Sequence, residues 1–282
     1  MFRILQKRKL NASMTLMVVD APYIARKAKA GQFIILRVNE HGERIPLTVA
    51  DYDREKGTVT IIYQVVGKTT MLLDQLNVGD FIQDFTGPLG RPSELSGHKR
   101  AAVIGGGAGC AIAYPQAKTL HAMGTKVDMI AGFRNKDIII LEDEMRAASD
   151  HLIIMTDDGS NGNKGFVTDA LKKQIENGAD YDLVVAIGPL VMMRAVSNVT
   201  KPYGIKTIIS MNPIMIDGTG MCGGCRITVG GKTKFACVDG PDFDASEVDF
   251  DEAIKRSKTY SEQERAAARD YQCHLMEGIS HA

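Results

Sequence analysis

The residues with the most restrictive spacing for chemistry are Asp217, Cys222, Cys225 and Cys237, which form the pattern D-x4-C-x2-C-x11-C. Thiolates and carboxylates are metal ligands, and three of the chain's five cysteines fall in this segment. Four glycines lie between the first and third of these residues. Glycine reaches backbone angles that other residues cannot adopt, so such a loop can wrap closely round a bound group. The segment therefore predicts a metal centre.

The spacing also indicates which metal. A C-x4-C-x2-C run with a more distant fourth cysteine is typical of plant-type [2Fe–2S] clusters, and here Asp217 stands in place of the first cysteine. A zinc site is the alternative, because three cysteines and an aspartate could surround one tetrahedral ion. Structural zinc motifs usually come as two pairs, whereas Cys237 stands alone, so the spacing favours the iron–sulfur cluster. A disulfide is disfavoured, since nothing else marks a secreted chain.

Composition restricts the class of protein further. The chain has 282 residues, with 34 Lys and Arg against 34 Asp and Glu. Without a basic surplus or a polybasic run, neither nucleic acid nor an anionic membrane is expected as a partner. No stretch approaches the roughly 20 apolar residues that cross a bilayer, and the apolar run at the N-terminus breaks too early for a signal peptide. Free thiols beside a candidate cluster suit a reducing compartment, so the expected location is the cytoplasm.

The pattern of strands and turns divides the chain into three regions. Residues 1–97 contain short β-branched runs separated by turn signals, which predict a small antiparallel β-barrel. Residues 98–210 alternate apolar strands with helical stretches, which predicts a doubly wound parallel α/β sheet that binds a nucleotide. Residues 211–282 hold the candidate cluster and a C-terminal helix.

Individual elements can be predicted within these regions. In the barrel only residues 69–75 are expected to be helical. The tail is expected to form a helix that opens with a capping box at Ser261 and Glu264 and ends at Gly278. In the sheet we expect strands at 100–104, 126–131, 152–156, 183–187 and 205–210, and helices at 111–123, 141–148, 168–176 and 190–199.

Three loops at strand ends are candidate contacts for a dinucleotide. The run from Gly105 to Gly109 lies between an apolar strand and a helix, where N–H groups and the positive helix end can hold a pyrophosphate. A tight turn is the alternative, because the order is not a complete G-x-G-x-x-G. Gly188-Pro189 and Asp157-Asp158 also follow strands, on the side where open α/β sheets bind ligands. The two carboxylates would repel a 2′-phosphate, which favours NAD over NADP; a turn or helix cap is their alternative role.

Six motifs, arranged as a barrel, a nucleotide sheet and an iron–sulfur loop, carry a resemblance to a known family: Glu43–Thr48, Gly67–Thr70, Gly87–Gly90, Gly105–Gly109, Thr156–Ser160 and Asp217–Cys225. Over essentially its whole length the chain resembles the ferredoxin-reductase superfamily, in the branch of the dihydroorotate dehydrogenase electron-transfer subunits. Within that branch it is most similar to the small (alpha) subunits of NADH-dependent reduced ferredoxin:NADP oxidoreductases, also described as sulfide dehydrogenase small subunits. Asp217 separates these subunits from the dihydroorotate relatives, which have a cysteine there.

The resemblance implies FAD on the barrel and NAD(H) on the sheet. Arg44 stands one position away from the family's flavin-contacting arginine, and Ile187 replaces a cysteine that family members often carry. Without the resemblance, Lys68 would be interpreted as a solvated lysine and Arg134 as a member of a surface ion pair. The implied FAD contacts are Arg44, Pro46, Leu47, Thr48, Ile62, Tyr63, Gln64, Gly67, Lys68, Thr69 and Thr70. The implied NAD(H) contacts are Gly105, Gly106, Gly107, Ala108, Gly109, Arg134, Asp157, Asp158, Gly188 and Pro189. The implied cluster ligands are Asp217, Cys222, Cys225 and Cys237.

The resemblance also implies a function. Hydride would be exchanged between NAD(H) and FAD, and single electrons would pass through the [2Fe–2S] cluster to a large flavoprotein subunit with its own FAD and [4Fe–4S] clusters. In such a heterodimer the large subunit carries the chemistry of ferredoxin and NADP, including electron bifurcation. A diaphorase subunit of a hydrogenase shares nearly every motif and is an alternative. A dihydroorotate dehydrogenase electron-transfer subunit is disfavoured by Asp217, and a zinc-stapled nucleotide-binding module would have no redox turnover.

Overall fold

The computed structural model describes residues 1–280, except for the side chains of residues 272 and 274–280. These residues form fifteen strands and nine α-helices. The strands are β1 (Phe2–Lys9), β2 (Met14–Asp20), β3 (Phe33–Arg37), β4 (Arg44–Asp53), β5 (Thr58–Gln64), β6 (Phe81–Ile82), β7 (Asp84–Leu89), β8 (Arg100–Gly106), β9 (Lys126–Phe133), β10 (His151–Thr156), β11 (Leu183–Ile187), β12 (Thr207–Ser210), β13 (Arg226–Val229), β14 (Lys232–Phe235) and β15 (Asp242–Asp244). The helices are α1 (Pro22–Lys27), α2 (Lys68–Gln75), α3 (Cys110–Ala122), α4 (Glu142–Ala147), α5 (Val167–Glu176), α6 (Leu190–Thr200), α7 (Ala236–Asp239), α8 (Phe250–Arg256) and α9 (Ser261–Ser280).

The first seven strands form one antiparallel sheet that curls into a barrel. The order β6-β1-β2-β5-β4-β3-β7 places the consecutive strands β6 and β7 at its two ends. Only Gln83 separates these strands, and its backbone N–H donates to the carbonyl of Val38 at 3.2 Å, so the ends of the sheet meet. The barrel encloses a core of its own, in which Ile4, Met17 and Leu36 have no exposed surface.

Alternation along β2 and β5 decides which side chains fill the barrel. Val19 pairs with Val59 and Met17 pairs with Ile61, and all four are buried in the barrel core. Ile62, one position further along β5, points outward and packs against the core of the second region. The outer face of β5 therefore faces the parallel sheet.

The second region is a sheet of order β10-β9-β8-β11-β12-β15, in which the first five strands are parallel. All five residues of β11 are buried, as expected for a strand covered on both faces by helices. The strand order reverses between β8 and β11, which are neighbours in the sheet. Ligands bind open α/β sheets outside the carboxyl ends of the strands at such a reversal, so the loops after β8 and β11 mark a binding site.

Among the elements that were not predicted from the sequence, α1 and β15 change the predicted barrel and the predicted sheet. The barrel contains a second helix, α1, so the prediction of a single barrel helix is wrong; Pro22 at its first turn was the available signal. The parallel sheet also gains a sixth strand, because β15 pairs antiparallel with β12. Three residues are too few to show a hydrophobic period, and only the folded chain brings this strand to the sheet edge.

The C-terminal helix differs from the prediction at both ends. Helix α9 begins at Ser261 as predicted, but it continues to Ser280, so the predicted end at Gly278 is wrong. A glycine inside a helix costs only about 1 kcal/mol relative to alanine, which does not stop it. The predicted capping box is not formed, because Ser261 Oγ donates to the carbonyl of Lys258 at 3.0 Å. Of the helices that the structure describes, none is long and apolar enough to span a bilayer.

A buried carboxyl joins the three regions. Asp242 of β15 accepts hydrogen bonds from Ser93 Oγ at 2.5 Å, on the chain leaving the barrel, and from Gln116 Nε2 of α3 at 3.3 Å. Among the described residues, nothing pairs with its other oxygen, Oδ1, or with Gln116 Oε1, and both atoms are buried. Burial raises the pKa of the Asp242 carboxyl, although the hydrogen bonds from Ser93, Ser210 and Gln116 oppose this. A proton on Asp242 would neutralise this buried carboxyl and so lower the cost of burying it.

We expect Asp242→Asn to stabilise the protein at neutral pH. Because the pKa in the folded chain lies above the ordinary 3.8, the folded state binds the proton more tightly than the unfolded state does. The free energy of unfolding therefore falls as the pH rises through the folded-state pKa. The neutral amide removes that loss, because it carries no charge to bury. The variant should melt above wild type at pH 7 and lose its advantage below pH 3.8 in a thermal melting series.

The exposed Asp20 provides the matched control for this series. Asp20→Asn makes the same chemical change at a carboxyl in contact with water, so its melting temperature should follow wild type at every pH. Parallel pH profiles for wild type and Asp242→Asn would contradict the assignment of a proton-binding carboxyl at the junction.

Candidate cofactor cavity and iron–sulfur segment

A cavity of about 890 Å³ lies between the outer wall of the barrel and the carboxyl edge of the parallel sheet. One wall comes from β4 and β5, and the other from the loops after β8, β9, β10 and β11. The floor is formed by residues 210–213 and 215 together with Pro241. The predicted site residues that line the cavity are Pro46, Leu47, Thr48, Ile62, Tyr63, Gln64, Gly106, Gly107, Ala108, Gly109, Arg134, Asp157, Gly188 and Pro189.

The strand β5 offers its backbone and alternate side chains to this cavity. Tyr63 points into the barrel core, where it is 2% exposed and its hydroxyl lies 3.5 Å from Asp74 Oδ1. Burial raises the pKa of the Tyr63 phenol well above its ordinary value, so the side chain is neutral at pH 7. Ile62 and Gln64 point outward on either side of it. An apolar wall with a few polar groups is the usual lining for an organic cofactor.

Seven predicted cofactor residues do not line the cavity. Arg44 donates its Nε to the carbonyl of Ile216 at 2.8 Å, so it is tied to the candidate cluster segment. Thr70 Oγ1 accepts the backbone N–H of Gly67 at 3.0 Å and caps helix α2. Lys68, in the first turn of that helix, is exposed, so only solvent and the positive helix end surround it. The seven residues are Arg44, Gly67, Lys68, Thr69, Thr70, Gly105 and Asp158.

Close packing explains the glycines after β8. A Cβ at Gly109 would lie 2.3 Å from the carbonyl oxygen of Ile187, and a Cβ at Gly106 would lie 2.4 Å from Met192 Sδ. Gly107 has φ of +55°, in the region that favours glycine. The loop leads directly into the thirteen-residue helix α3, so its N–H groups lie at the positive end of a helix. This geometry suits a pyrophosphate cradle.

The ends of β9 and β10 add one cation and one anion to the cavity rim. The backbone N–H of Asp157 donates to the carbonyl of Phe133 at 3.0 Å, which brings Asp157 beside Arg134 at the end of β9. Asp158 Oδ1 instead accepts the backbone N–H of Ser160 at 2.9 Å and closes a turn. The Ser160 hydroxyl and N–H hold the pKa of the Asp158 carboxyl below its usual range. Of the two aspartates, Asp157 is therefore the one available to a ligand.

Sequence reasoning missed two parts of the cavity. Asn11 and Ser13 line it from the turn between β1 and β2, where Asn11 Oδ1 accepts the N–H of Ser13 at 2.9 Å. A short polar run between two strands was the available signal. The floor contributed by Met211 and Pro213 was also missed, although it follows the carboxyl end of the fifth parallel strand.

The candidate cluster ligands fall into two neighbouring pairs. Asp217 accepts the N–H of Thr219 at 2.9 Å and the N–H of Cys222 at 2.7 Å. These bonds, led by that from Thr219, lower the pKa of the Asp217 carboxyl, so it is an anion at pH 7. Cys225 and Cys237 form the second pair, with their sulfurs 3.2 Å apart and both side chains buried. The first pair lies at the rim, where Cys222 is exposed.

This donor set fits a two-iron cluster. Two thiolates on one tetrahedral ion, each at about 2.3 Å, lie about 3.8 Å apart, so the sulfurs of Cys225 and Cys237 need to separate by only about 0.6 Å to share one ion. Each iron of a [2Fe–2S] cluster takes two protein ligands, so two pairs are the arrangement it requires. Among the described side chains, no group of three or more His, Cys, Asp or Glu residues is gathered at one ion position. Cys222 and Asp217 would complete the second iron.

The cluster segment is packed against the barrel. A Cβ at Gly218 would lie 2.6 Å from Leu89 Cδ1 and 3.2 Å from Ile35 Cγ1, so the loop touches β7 and β3. Gly218 has φ of +76°, which only glycine adopts without strain. The loop that follows the cavity floor is thus packed against β3 and β7, and β3 pairs with β4 of the cavity wall.

Three family models match successive parts of the chain. An oxidoreductase FAD-binding domain matches residues 1–93, an oxidoreductase NAD-binding domain matches residues 103–198, and the iron–sulfur cluster binding domain of dihydroorotate dehydrogenase B matches residues 212–249. The fold and the cavity define the class: this is an electron-transferring oxidoreductase of the ferredoxin-reductase type, with domains for FAD, NAD and an iron–sulfur cluster. The predicted fold class and cofactor set are confirmed.

The chain belongs to the family of dihydroorotate dehydrogenase B electron-transfer subunits and their homologues. A Thermotoga maritima homologue of that subunit is 47% identical and covers 88% of this chain and 87% of its own length. An uncharacterized Clostridium beijerinckii protein from the adh 3′ region is 48% identical and covers 100% of this chain and 97% of its own. A chain of the NADH-dependent reduced ferredoxin-NADP oxidoreductase, a structure described for flavin-based electron bifurcation, superposes with a TM-score of 0.90 at 43% identity, covering 96% of this chain and 97% of that chain.

We expect Gly109→Ala to weaken NADH binding about tenfold or more, which corresponds to about 1.4 kcal/mol. The added Cβ would lie 2.3 Å from a backbone oxygen, so the loop or the neighbouring β11–α6 connection must move. Either movement displaces the N–H groups that would face the pyrophosphate. The dissociation constant is measured by titrating the FAD-loaded protein with NADH under anaerobic conditions.

Gly124→Ala is the matched control, because Gly124 has φ of +85° and open space around its Cα. That change should lower the free energy of unfolding by about 1 kcal/mol through backbone strain, and it should leave the affinity for NADH unchanged. Equal affinities for both variants and wild type would contradict the assignment of the glycine loop as the pyrophosphate site.

Proposed function

We propose that the chain is the small, electron-transferring subunit of an NADH-dependent reduced ferredoxin:NADP oxidoreductase. The observation that carries the proposal is the shared cavity: the barrel and the nucleotide sheet form its walls, and its floor runs directly into Asp217. Groups bound to the two walls and to the segment below would therefore be neighbours. When bound, the nicotinamide and FAD supply hydride chemistry and the [2Fe–2S] cluster supplies one-electron chemistry.

The chain's own contribution is binding and orientation. We propose that Pro46, Thr48 and Gln64 support the flavin, and that the glycine loop and Arg134 hold the dinucleotide phosphates. Rigid strands and a packed loop carry these groups, so two ligands are held in a fixed mutual orientation across the cleft. The apolar lining contributed by Ile62 excludes water from the space between them.

Relatives of this chain are named as electron-transfer subunits, so a partner subunit belongs to the assembly. We propose that the partner is a large flavoprotein with FAD and [4Fe–4S] clusters, which binds ferredoxin and NADP, and that the heterodimer works in the cytoplasm. The rim of the cluster segment supports this. Met221, beside Cys222, is 89% exposed, and Ile216 is 48% exposed. Exposed apolar side chains next to a redox centre suit a protein interface.

Three alternative functions can each be distinguished from this proposal. A dihydroorotate dehydrogenase electron-transfer subunit would resemble the chain throughout, but we expect such a subunit to have a cysteine at the position of Asp217, as in the four-cysteine spacing of plant-type clusters. A hydrogenase diaphorase subunit is distinguished only by its partner, so co-purification of the native assembly tests it. A zinc-stapled module without redox turnover would be colourless after anaerobic purification, whereas flavin and iron–sulfur cluster absorb visible light.

The proposal predicts that Cys237→Ser separates two activities. Cys237 is buried beside Cys225, so its loss should abolish or strongly reduce cluster binding while the cavity, formed by other residues, is retained. NADH should still bleach the flavin absorbance of the variant at a rate within about twofold of wild type, since binding and orientation are unchanged. Reduction of a one-electron acceptor by the reconstituted heterodimer should fall at least about a hundredfold, because the electron path is broken.

The buried Cys110 gives the matched control for this test, since it packs in the core of the nucleotide sheet. Cys110→Ala should retain the full iron content and both activities. If Cys237→Ser kept its iron and its acceptor activity, the proposed electron path would be refuted.

The preference for NAD should depend on Asp157 rather than Asp158. Asp157 lines the cavity, whereas the Asp158 carboxylate is used by its own turn. We expect Asp157→Asn to raise the ratio of kcat/KM for NADPH over NADH about tenfold, because one repulsive charge near a 2′-phosphate is removed. Asp158→Asn is the control and should change that ratio by less than about twofold. A larger effect at Asp158 would reverse the assignment.

A further inference from the structure

Four arginines donate to backbone carbonyls that each lie one residue from a candidate cluster ligand. Every one of the four ligands has such a carbonyl beside it. The bonds are Arg44 Nε to Ile216 O at 2.8 Å, Arg226 Nη1 to Gly223 O at 3.1 Å, Arg256 Nη2 to Gly224 O at 3.3 Å and Arg91 Nε to Val238 O at 3.1 Å.

The four side chains come from separate elements. Arg44 begins β4, Arg91 follows β7, Arg226 begins β13 and Arg256 ends α8. Arg44 and Arg91 belong to the barrel, and they bond to carbonyls 172 and 147 positions further along the chain. Three of the four bonds therefore depend on the tertiary structure, whereas Arg226 donates within its own turn to a residue three positions earlier.

Holding the loop explains part of this arrangement. Backbone carbonyls in irregular segments need hydrogen-bond donors when strands and helices do not supply them. A guanidinium supplies N–H donors and always remains positively charged. A neutral amide or a serine could satisfy a carbonyl as well. The choice of a cation at all four places calls for an explanation in terms of charge.

Most of this charge is not neutralised. Of the four arginines, Arg91 has a carboxylate within ion-pair distance, Asp239 at 4.0 Å. Among the side chains that the structure describes, no Asp or Glu lies within 4.0 Å of the guanidinium of Arg44, Arg226 or Arg256. Three positive charges thus surround the segment that contains Asp217 and the three thiols.

Burial divides the four arginines into two pairs. Arg44 and Arg256 are half-buried, whereas Arg226 is exposed and the Arg91 side chain is 70% exposed. Charges near a low-dielectric interior interact over several ångströms with little loss, while exposed charges are screened by water and salt. The half-buried pair should therefore exert the larger field on the cluster segment.

We propose that Arg44, Arg91, Arg226 and Arg256 form a guanidinium ring that raises the reduction potential of the [2Fe–2S] cluster. The four are positioning residues, and the inference rests on the proposed function. Reduction adds one electron and makes the cluster more negative by one unit, so nearby positive charge stabilises the reduced form. Net charge, hydrogen bonding and exposure are known determinants of cluster potentials. An aspartate ligand adds an oxygen donor to this set, and the ring of cations surrounds the resulting anionic site.

The test is an anaerobic redox titration of the full heterodimer, with the cluster followed by EPR. Arg44→Gln and Arg256→Gln should each lower the ratio of reduced to oxidised cluster by threefold to tenfold at a fixed ambient potential, tenfold being 59 mV for one electron. Arg226→Gln should give a smaller shift that disappears at high salt. Arg44→Lys and Arg256→Lys retain the charge and should stay close to wild type in potential.

Arg54 provides the matched control, because its Nη2 donates to the carbonyl of Ala28 at 3.1 Å. It lies just beyond the end of β4 opposite to Arg44, and a ten-residue strand is about 33 Å long. Arg54→Gln removes the same charge and the same kind of bond, and it should leave the cluster potential unchanged. Iron content and the FAD potential of every variant show whether the fold is retained.

Two results would overturn the inference. If the Gln and Lys variants of Arg44 and Arg256 shifted the potential equally, the arginines would act through loop geometry and not through charge. If all Gln variants kept the wild-type potential while losing iron, they would only hold the ligands. Failure of the proposed function is distinguishable from both outcomes, because wild type itself would then show no [2Fe–2S] EPR signal on reduction.

Discussion

The pairing of β15 with β12 is the constraint on which the rest of the site depends. Ile209 lies opposite Phe243 and Ser210 lies opposite Asp242, so the chain returns to the sheet edge that it left about thirty residues earlier. Both ends of the cluster segment are therefore held at one place, beside the carboxyl ends of the parallel strands. The residues between them form the cavity floor and the ligand loop. Asp242 also contacts Ser93, which ties the barrel to the same point.

The barrel and the sheet are coupled through this returning segment as well as through their shared cavity. The ligand loop packs against β3 and β7 at Gly218, and Arg44 of β4 binds the carbonyl of Ile216. Arg44, which the family pattern suggests as a flavin contact, thus binds the ligand loop instead. Because the ligand loop contacts β3 and β7 and is bonded to Arg44 of β4, a movement of the barrel relative to the sheet would also displace the cluster segment.

The relatives describe the function at different levels. The family models assign FAD, NAD and an iron–sulfur cluster to successive regions of the chain. The relatives named for dihydroorotate dehydrogenase B include sequences at 30–35% identity and the Thermotoga maritima homologue at 47%, and the chain from the bifurcating oxidoreductase is 43% identical over almost the whole length. The proposed function relies on Asp217, whose carboxylate oxygen is a harder ligand than the cysteine thiolate that the plant-type spacing has at this place.

Local patterns sufficed to predict the fold class, the candidate cluster segment and the glycine loop, whereas the flavin contacts came only from the resemblance to a known family. Each of these patterns reflects a short-range physical requirement. The cysteine spacing reflects ligand geometry, the glycine run after β8 reflects close packing, and the apolar strands reflect burial on two faces. Contacts between distant residues were not predictable, because no local signal marks them. These include the three-residue strand β15, the hydrogen bond from Ser93 to Asp242 and the bond from Arg44 to Ile216. The amino-acid sequence alone determined which groups this protein can bind; only the tertiary structure decided which side chains face them, since that depends on how separate elements pack together.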